Sequence, residues 1–248
     1  MLFIVLCLLA AMPLLALGMD IGSCGEVVPR RDVGNLRADL VCNGGGIVLG
    51  SGAALNLNGF TIAGSGRDTG VLCGGRGCTV SGPGAIVGFG VGISAPRRAA
   101  ISGLELRSND LGVTTKGGNV ALSGIVATEN GVAIHVVAGR LRARELEVSR
   151  NRDAGISTNA SPTKLTSLVA VENGGLGGVY VTAARGARVT IKDSTVIRNN
   201  GLAEGYDIVT TGRAKLVNTV CGRGARVRES RSGPKTRTVI GRLGCQDD

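Results

Sequence analysis

Short runs in which every second residue is apolar recur along this chain, and the runs form units of similar length. From Asn119 the chain reads NVALSGIVATENGVAIHVVAG: an alternating run, an asparagine, a glycine corner and a second, shorter alternating run. Four more segments repeat that grammar. They are AAISGLELRSNDLGVTTKGG from Ala99, RLRARELEVSRNRDAGISTNASP from Arg140, TKLTSLVAVENGGLGGVYVTAARG from Thr163 and ARVTIKDSTVIRNNGLAEGYDIVTTGR from Ala187. A period of two is that of a half-buried strand. No helical period is sustained, because glycine and β-branched residues break each window. Upstream, GGGIVLGSG, AALNLNGFTIAGSG, GVLCGGRGCTVSGPG and AIVGFGVGISAPRR continue the repeat in degenerate form. A leucine-rich repeat would need an LxxL run and a helix in each unit, and neither is present. The pattern predicts an all-β, parallel β-helix solenoid of roughly eight coils over residues 38–220, with neighbouring coils stacked about 4.8 Å apart.

Stacking turns the sequence into columns. Asn109, Asn130, Asn151, Asn173 and Asn199 follow one another at 21, 21, 22 and 26 residues. They are expected to lie one above another as a structural ladder, since an Asn corner tolerates the left-handed conformation and its amide bonds to the amides above and below. The residues before them, Ser108, Glu129, Arg150, Glu172 and Arg198, form a column of alternating sign, expected to pair from coil to coil. After each corner an inward position should be followed by an outward one. That places Thr114, His135, Ser157, Tyr180 and Val209 in one exterior column. His135 and Tyr180, two coils apart, are the candidate catalytic base and acid of that column. The bland alternative is a solvated face carrying an isolated His and Tyr.

Charge adds a third pattern. The chain carries a formal net charge of +10. Arg140, Arg142 and Arg144 open one coil, Lys164 the next, and Arg185, Arg188 and Lys192 the one after, with Arg213 and Lys215 beyond. These residues are expected to make a stripe down one side. Arg140, Arg142, Arg144, Lys164, Arg188 and Lys192 are the candidate substrate-binding set, because guanidinium forks match carboxylates. An acidic polysaccharide or an anionic envelope surface is the expected partner, rather than nucleic acid.

Composition fits a thin interior: 42 glycines, 2% aromatic residues and no Trp, with small aliphatics left to fill the core. The N-terminus, MLFIVLCLLAAMPLLALG, reads as a signal peptide over residues 1–18. It is short for a membrane span. Retention as an anchor and lipidation at Cys24 are the other two readings of this end. Beyond Cys7, six cysteines remain: Cys24, Cys42, Cys73, Cys78, Cys221 and Cys245. An even set suits disulfides in an oxidising compartment, and the most economical pairing is 24–42, 73–78 and 221–245. Residues 19–37 are expected to cap the N-terminal end of the rod. Residues 221–248 are expected to form a basic C-terminal cap or tail. Glycine-rich GSGRDTG and CGGRGC precede no helix and so are poor phosphate loops. Neither a metal site nor a cofactor is expected.

ADLVCNGGGIVLGSGAALNLNGFTIAGSG, from Ala38, resembles the opening of secreted right-handed parallel β-helix proteins of the pectin-lyase-like superfamily. In that superfamily a cysteine-bounded segment leads into an xxLDLNGxTIxG coil. Here the counterpart is AALNLNGFTIAG, Ala53–Gly64, and the later coils fit the looser LxVxxNxxxGI pattern. The resemblance covers about Cys24 to Cys245. It implies a single-stranded right-handed β-helix, export to the periplasm or the exterior, and action on or binding to polysaccharide. The enzyme motifs of the group are missing: the Asp-Pro-His triad of the epimerases, the Asn-Thr-Asp, Asp-Asp and Gly-His-Gly set of polygalacturonases, and the RxPxxR of pectate lyases. The expected function is therefore a secreted module that binds acidic polysaccharide or the cell envelope. A polysaccharide lyase or uronate epimerase using His135 and Tyr180, and a structural or adhesive rod, are the alternatives.

Overall fold

The computed structural model describes residues 18–159, 162–182, 188–200, 205–229 and 237–243. All but the last residue of the expected signal peptide lie outside them. Among the described residues there is no helix, and so none long and apolar enough to cross a membrane. Short strands form one 14-stranded and one 11-stranded sheet. They wind into a parallel β-solenoid of about eight turns.

One coil shows how the chain turns. Ala99–Ser102 lies on a first face, Glu105–Arg107 on a second and Leu111–Thr115 on a third. The next coil repeats the path with a single strand, Asn119–Thr128, which pairs with both Ala99–Ser102 and Glu105–Arg107. The larger sheet therefore folds over a corner, and later coils run through that corner unbroken. Gly103, Gly124, Glu145, Ser167, Asp193 and Asn218 occupy it, all with φ between 45° and 64°. A left-handed backbone costs an L-residue about 1–2 kcal/mol. The ladder bonds and core contacts on either side offset that cost.

The second corner carries the asparagines, with one difference from expectation. The left-handed residues are not the asparagines but those before them: Ser108, Glu129, Arg150, Glu172 and Arg198, at φ 53–59°. Their backbone turns the chain so that each following Asn points inward. Asn109, Asn130, Asn151, Asn173 and Asn199 are all at most 4% exposed. Each Oδ1 from Asn130 onward accepts the backbone N–H and the Nδ2–H of the Asn one coil earlier, at 2.8–3.2 Å. Each Nδ2 also donates to the carbonyl two residues back and to a carbonyl of the preceding coil. Side-chain amides thus satisfy backbone groups that the turn takes out of the sheets.

Both ends of the ladder use other residues. At the upper end Phe89 takes the asparagine position and donates its N–H to Asn109 Oδ1 at 3.0 Å. Its buried ring lies where Gly64 has no side chain, and a Cβ there would come within 2.3 Å of it. At the lower end no Asn follows Asn199. Asp207 closes the column instead, at the end of a longer connection.

The capping segment is itself wound. Met19–Ile21, Val27–Val28 and Val33–Leu36 pair in parallel with the coils below them. The C-terminal segment is stranded as well: Gly224–Glu229 continues the third face beneath Ile208–Thr210, and Arg237–Leu243 returns antiparallel along it. An antiparallel partner covers a strand edge that would otherwise be open to pairing with another chain. Disulfides join Cys24 to Cys42 and Cys73 to Cys78, with Cα atoms 5.7 and 5.6 Å apart. Cys221 is buried. Its expected partner Cys245 lies outside the described residues.

Candidate polyanion-binding face

On the first face, side chains that point outward fall into strict columns. Ala100, Ala121, Arg142, Lys164, Thr190 and Lys215 stand in one register. Ser102, Ser123, Arg144, Thr166 and Lys192 stand in the next. Asn119 and Arg140 pair in a third, as do Arg188 and Arg213. Arg185 lies outside the described residues. The described members of the basic set, from Arg140 to Lys215, therefore share one face. Among the described residues Lys192 pairs with Asp193 at 3.2 Å, while Arg140, Arg142, Arg144, Lys164 and Arg188 enter no ion pair.

Residue size shapes this face. In the upstream coils the outward columns hold Ala100, Ala121, Ser102 and Ser123. One coil later they hold Arg142 and Arg144, followed by Lys164 and Thr166. Small side chains against long ones leave a trough of about 440 Å³, floored by alanine and serine and walled on one side by cations. No carboxylate is among the residues that line it.

Elsewhere, on the third face, the register of Thr114, His135, Ser157, Tyr180 and Val209 is as expected. Their exposure is not. His135 is half-buried, but Ser157 is 9% exposed, Tyr180 4% and Val209 0%. The connection after Asn199 brings Tyr206 over this part of the face, and Leu176 packs beside it. Together with Tyr180, Val209 and Ala225 they form a second, small apolar cluster outside the main core. The Arg223 guanidinium lies 5.1 Å from the centre of the Tyr206 ring. Tyr180 is thus a packed side chain rather than one open to solvent, and two coils separate it from His135. Loss of hydration holds the His135 imidazole below its ordinary pKa, which keeps it neutral near pH 7. The structure does not bring His135 or Tyr180 to the trough, which lies on a different face.

The alternating column resolves into two pairs. Arg150 meets Glu129 at 4.0 Å and Arg198 meets Glu172 at 3.7 Å, all four side chains being about half exposed or more. Pairs of this kind contribute a few tenths of a kcal/mol.

Two features escaped the sequence reading. One is Asp207, which had no periodic position to mark it. The other is a group of upstream arginines at the corner between the third and first faces: Arg30, Arg31, Arg76 and Arg98. A signal for them was present, since PRRD, GGRGC and PRRA each precede a first-face strand in their coil.

Comparison of the chain with protein-family models, with curated proteins and with solved structures finds no match in any of the three. The geometry thus defines a parallel β-solenoid, and the resemblance to the pectin-lyase-like superfamily rests on the sequence patterns alone.

Proposed function

We propose that this protein is an exported β-solenoid module that binds acidic polysaccharide along its first face. The observation that carries this reading is the trough between the Ala100–Ser123 floor and the Arg142, Arg144 and Lys164 wall, which has no carboxylate in its lining. Coils about 4.8 Å apart present their cations one after another along the rod. A polymer with one carboxylate per sugar unit, laid parallel to the axis, passes from the alanine and serine floor onto Arg142 and Arg144 and then Lys164. Arginine recognises each carboxylate with two parallel hydrogen bonds, and the alanine and serine floor admits the flat face of a sugar ring. The net charge of +10 raises the local concentration of any polyanion. Two disulfides fit an oxidising compartment outside the cytoplasm.

Binding is favoured over lyase or epimerase chemistry by the separation of the candidate groups. His135 and Tyr180 stand on the third face, and Tyr180 is covered. Titration calorimetry with oligogalacturonate and oligoalginate tests the reading. The native protein should bind in a salt-sensitive manner. Replacing Arg142 and Lys164 together by Ala should weaken binding about tenfold or more, as loss of two charge-assisted contacts implies. Unchanged affinity in that double variant overturns the proposal. Formation of an unsaturated uronate, read by its ultraviolet absorbance, would instead establish a lyase. Absence of both binding and turnover would leave a structural rod.

A further inference from the structure

The upstream arginines form a second site of a different kind. Arg30 and Arg31, Arg76 and Arg98 reach the corner between the third and first faces from three coils; Arg76 and Arg98 are in neighbouring coils, and the coil of Ser51 and Gly52 lies between Arg31 and Arg76. With Ser51 and Gly52 they line a concavity of about 320 Å³. No carboxylate lines it, and none of the four arginines enters an ion pair among the described residues. Asp32, next to Arg31 in sequence, accepts the Val33 N–H at 2.8 Å and is not part of the lining.

Four like charges in one concavity repel one another, so the local structure has to hold them there, and it does so by covalent and steric means. The Cys73–Cys78 disulfide closes the short loop that carries Arg76. The Arg76 N–H donates to Ser51 Oγ at 3.1 Å, and Gly52 N–H to the Gly77 carbonyl at 2.7 Å, which ties the loop to the coil above. On the side of the coil below, Cys78 N–H donates to the Arg98 carbonyl at 3.2 Å. Gly77 has φ 145°, and a Cβ at that position would meet Arg98 Cβ and its carbonyl oxygen at 2.9 Å. Glycine there lets the Arg98 backbone come close, and so brings Arg98 beside Arg76.

We propose that this concavity is a binding site for a single multiply charged oxyanion group, a phosphate or a sulfate, separate from the polyuronate trough. The trough is open and is walled by the cations of two coils, Arg142 and Arg144 in one and Lys164 in the next, which suits the spread carboxylates of successive sugars. Here four arginines line one smaller concavity, which suits a group whose charge is concentrated on three or four oxygens. Their mutual repulsion is relieved when the anion enters, so binding should stabilise the fold.

The test uses the full chain at constant ionic strength, with chloride as the reference anion. Inorganic phosphate and inorganic sulfate are titrated and the thermal unfolding midpoint is followed. A rise with phosphate or sulfate over chloride is expected. In the variant Arg76→Ala with Arg98→Ala the apparent Kd should increase about tenfold or more. In Arg142→Ala with Lys164→Ala it should not change. A sulfated, uronate-free oligosaccharide forms a second arm. If it binds with the same dependence on Arg76 and Arg98 and more tightly than the free ion, the group is carried on a glycan; if more weakly, the ligand is the free ion. Equal protection by chloride, retention of the effect in the Arg76 and Arg98 variant, or its loss in the Arg142 and Lys164 variant each overturns the proposal. Should the alanine variant fold poorly, Arg76→Lys with Arg98→Lys keeps the charge and removes the paired donors, and the same loss of affinity is expected.

Discussion

Asn199 donates its backbone N–H and its side-chain N–H to one carboxylate oxygen of Asp207, at 2.8 and 2.9 Å. The other oxygen of Asp207 accepts the N–H groups of Gly222 and Arg223, each at 2.9 Å. A ladder of asparagines passes its unmet donors from coil to coil, so the last member needs an acceptor that has no N–H of its own to pass on. A carboxylate meets that need, because both of its oxygens accept. The buried Asp207 also joins the last ladder coil to the strand that follows it.

Asp207→Ala should therefore be among the most damaging substitutions in the molecule. It removes the acceptor of four N–H groups, two on the buried Asn199 and two on the exposed Gly222 and Arg223, and the buried pair costs about 1–3 kcal/mol for each group that water cannot reach. Urea unfolding should show a loss of about 3 kcal/mol or more. Asp207→Asn, which keeps one acceptor, should lose clearly less, and equal losses would show that the carboxylate is not the cap.

Within the ladder, Asn130→Ala removes the acceptor of the Asn109 N–H and Nδ2–H and its own donors to the Leu106 and Thr128 carbonyls. A destabilisation of about 2–4 kcal/mol is expected from that set of lost bonds. Asn130→Asp is the informative comparison, since its oxygen still serves Asn109 while the donated bonds vanish. Its stability should fall between those of the native protein and the alanine variant.

At the other corner, Ser167 is exposed and sits at φ 53°. Its side chain matters little there and its backbone matters more. Ser167→Gly should hold or raise stability, whereas Ser167→Val should lower it. The spread between the two should be about 1–2 kcal/mol by denaturant midpoint at constant slope. A valine variant as stable as the glycine one would contradict a strained corner.

His135 makes a prediction about pH. Its pKa in the folded state lies below the ordinary histidine value of 6.5 because burial disfavours the imidazolium. In the window between the folded value and 6.5 the unfolded chain binds more protons, so stability rises with pH through that window and is lowest on its acid side. Proton NMR of this one histidine should give a midpoint below 6.5. His135→Gln should flatten the stability profile over the same range. A midpoint at or above 6.5 would remove the burial argument.

Much of this architecture was legible in the order of residues. Alternation gave the strands, and the spacing of Asn109, Asn130, Asn151, Asn173 and Asn199 set the register. That register put Arg142 beside Lys164 and His135 beside Ser157, as the structure has them. The cysteine spacing anticipated both described disulfides. The exposure of the third-face column was not legible. Whether Tyr180 meets solvent depends on where the connection after Asn199 folds, and that connection departs from the repeat. The upstream arginines were visible as PRRD, GGRGC and PRRA, but nothing local says that three separate coils aim them into one concavity.

Periodicity is a local property: it sets which residues alternate, which coil follows which, and therefore which side chains share a column. Those features were already present in the chain, because stacked parallel strands convert a sequence period directly into a spatial one. Depth, cover and convergence are properties of the folded surface. The trough exists because alanine and serine in one coil adjoin arginine and lysine in the next. Tyr180 is hidden because Tyr206 and Leu176 fold over it, and Asp207 caps the ladder because a longer connection returns to its end. Each of these depends on contacts between segments whose meeting no single repeat encodes.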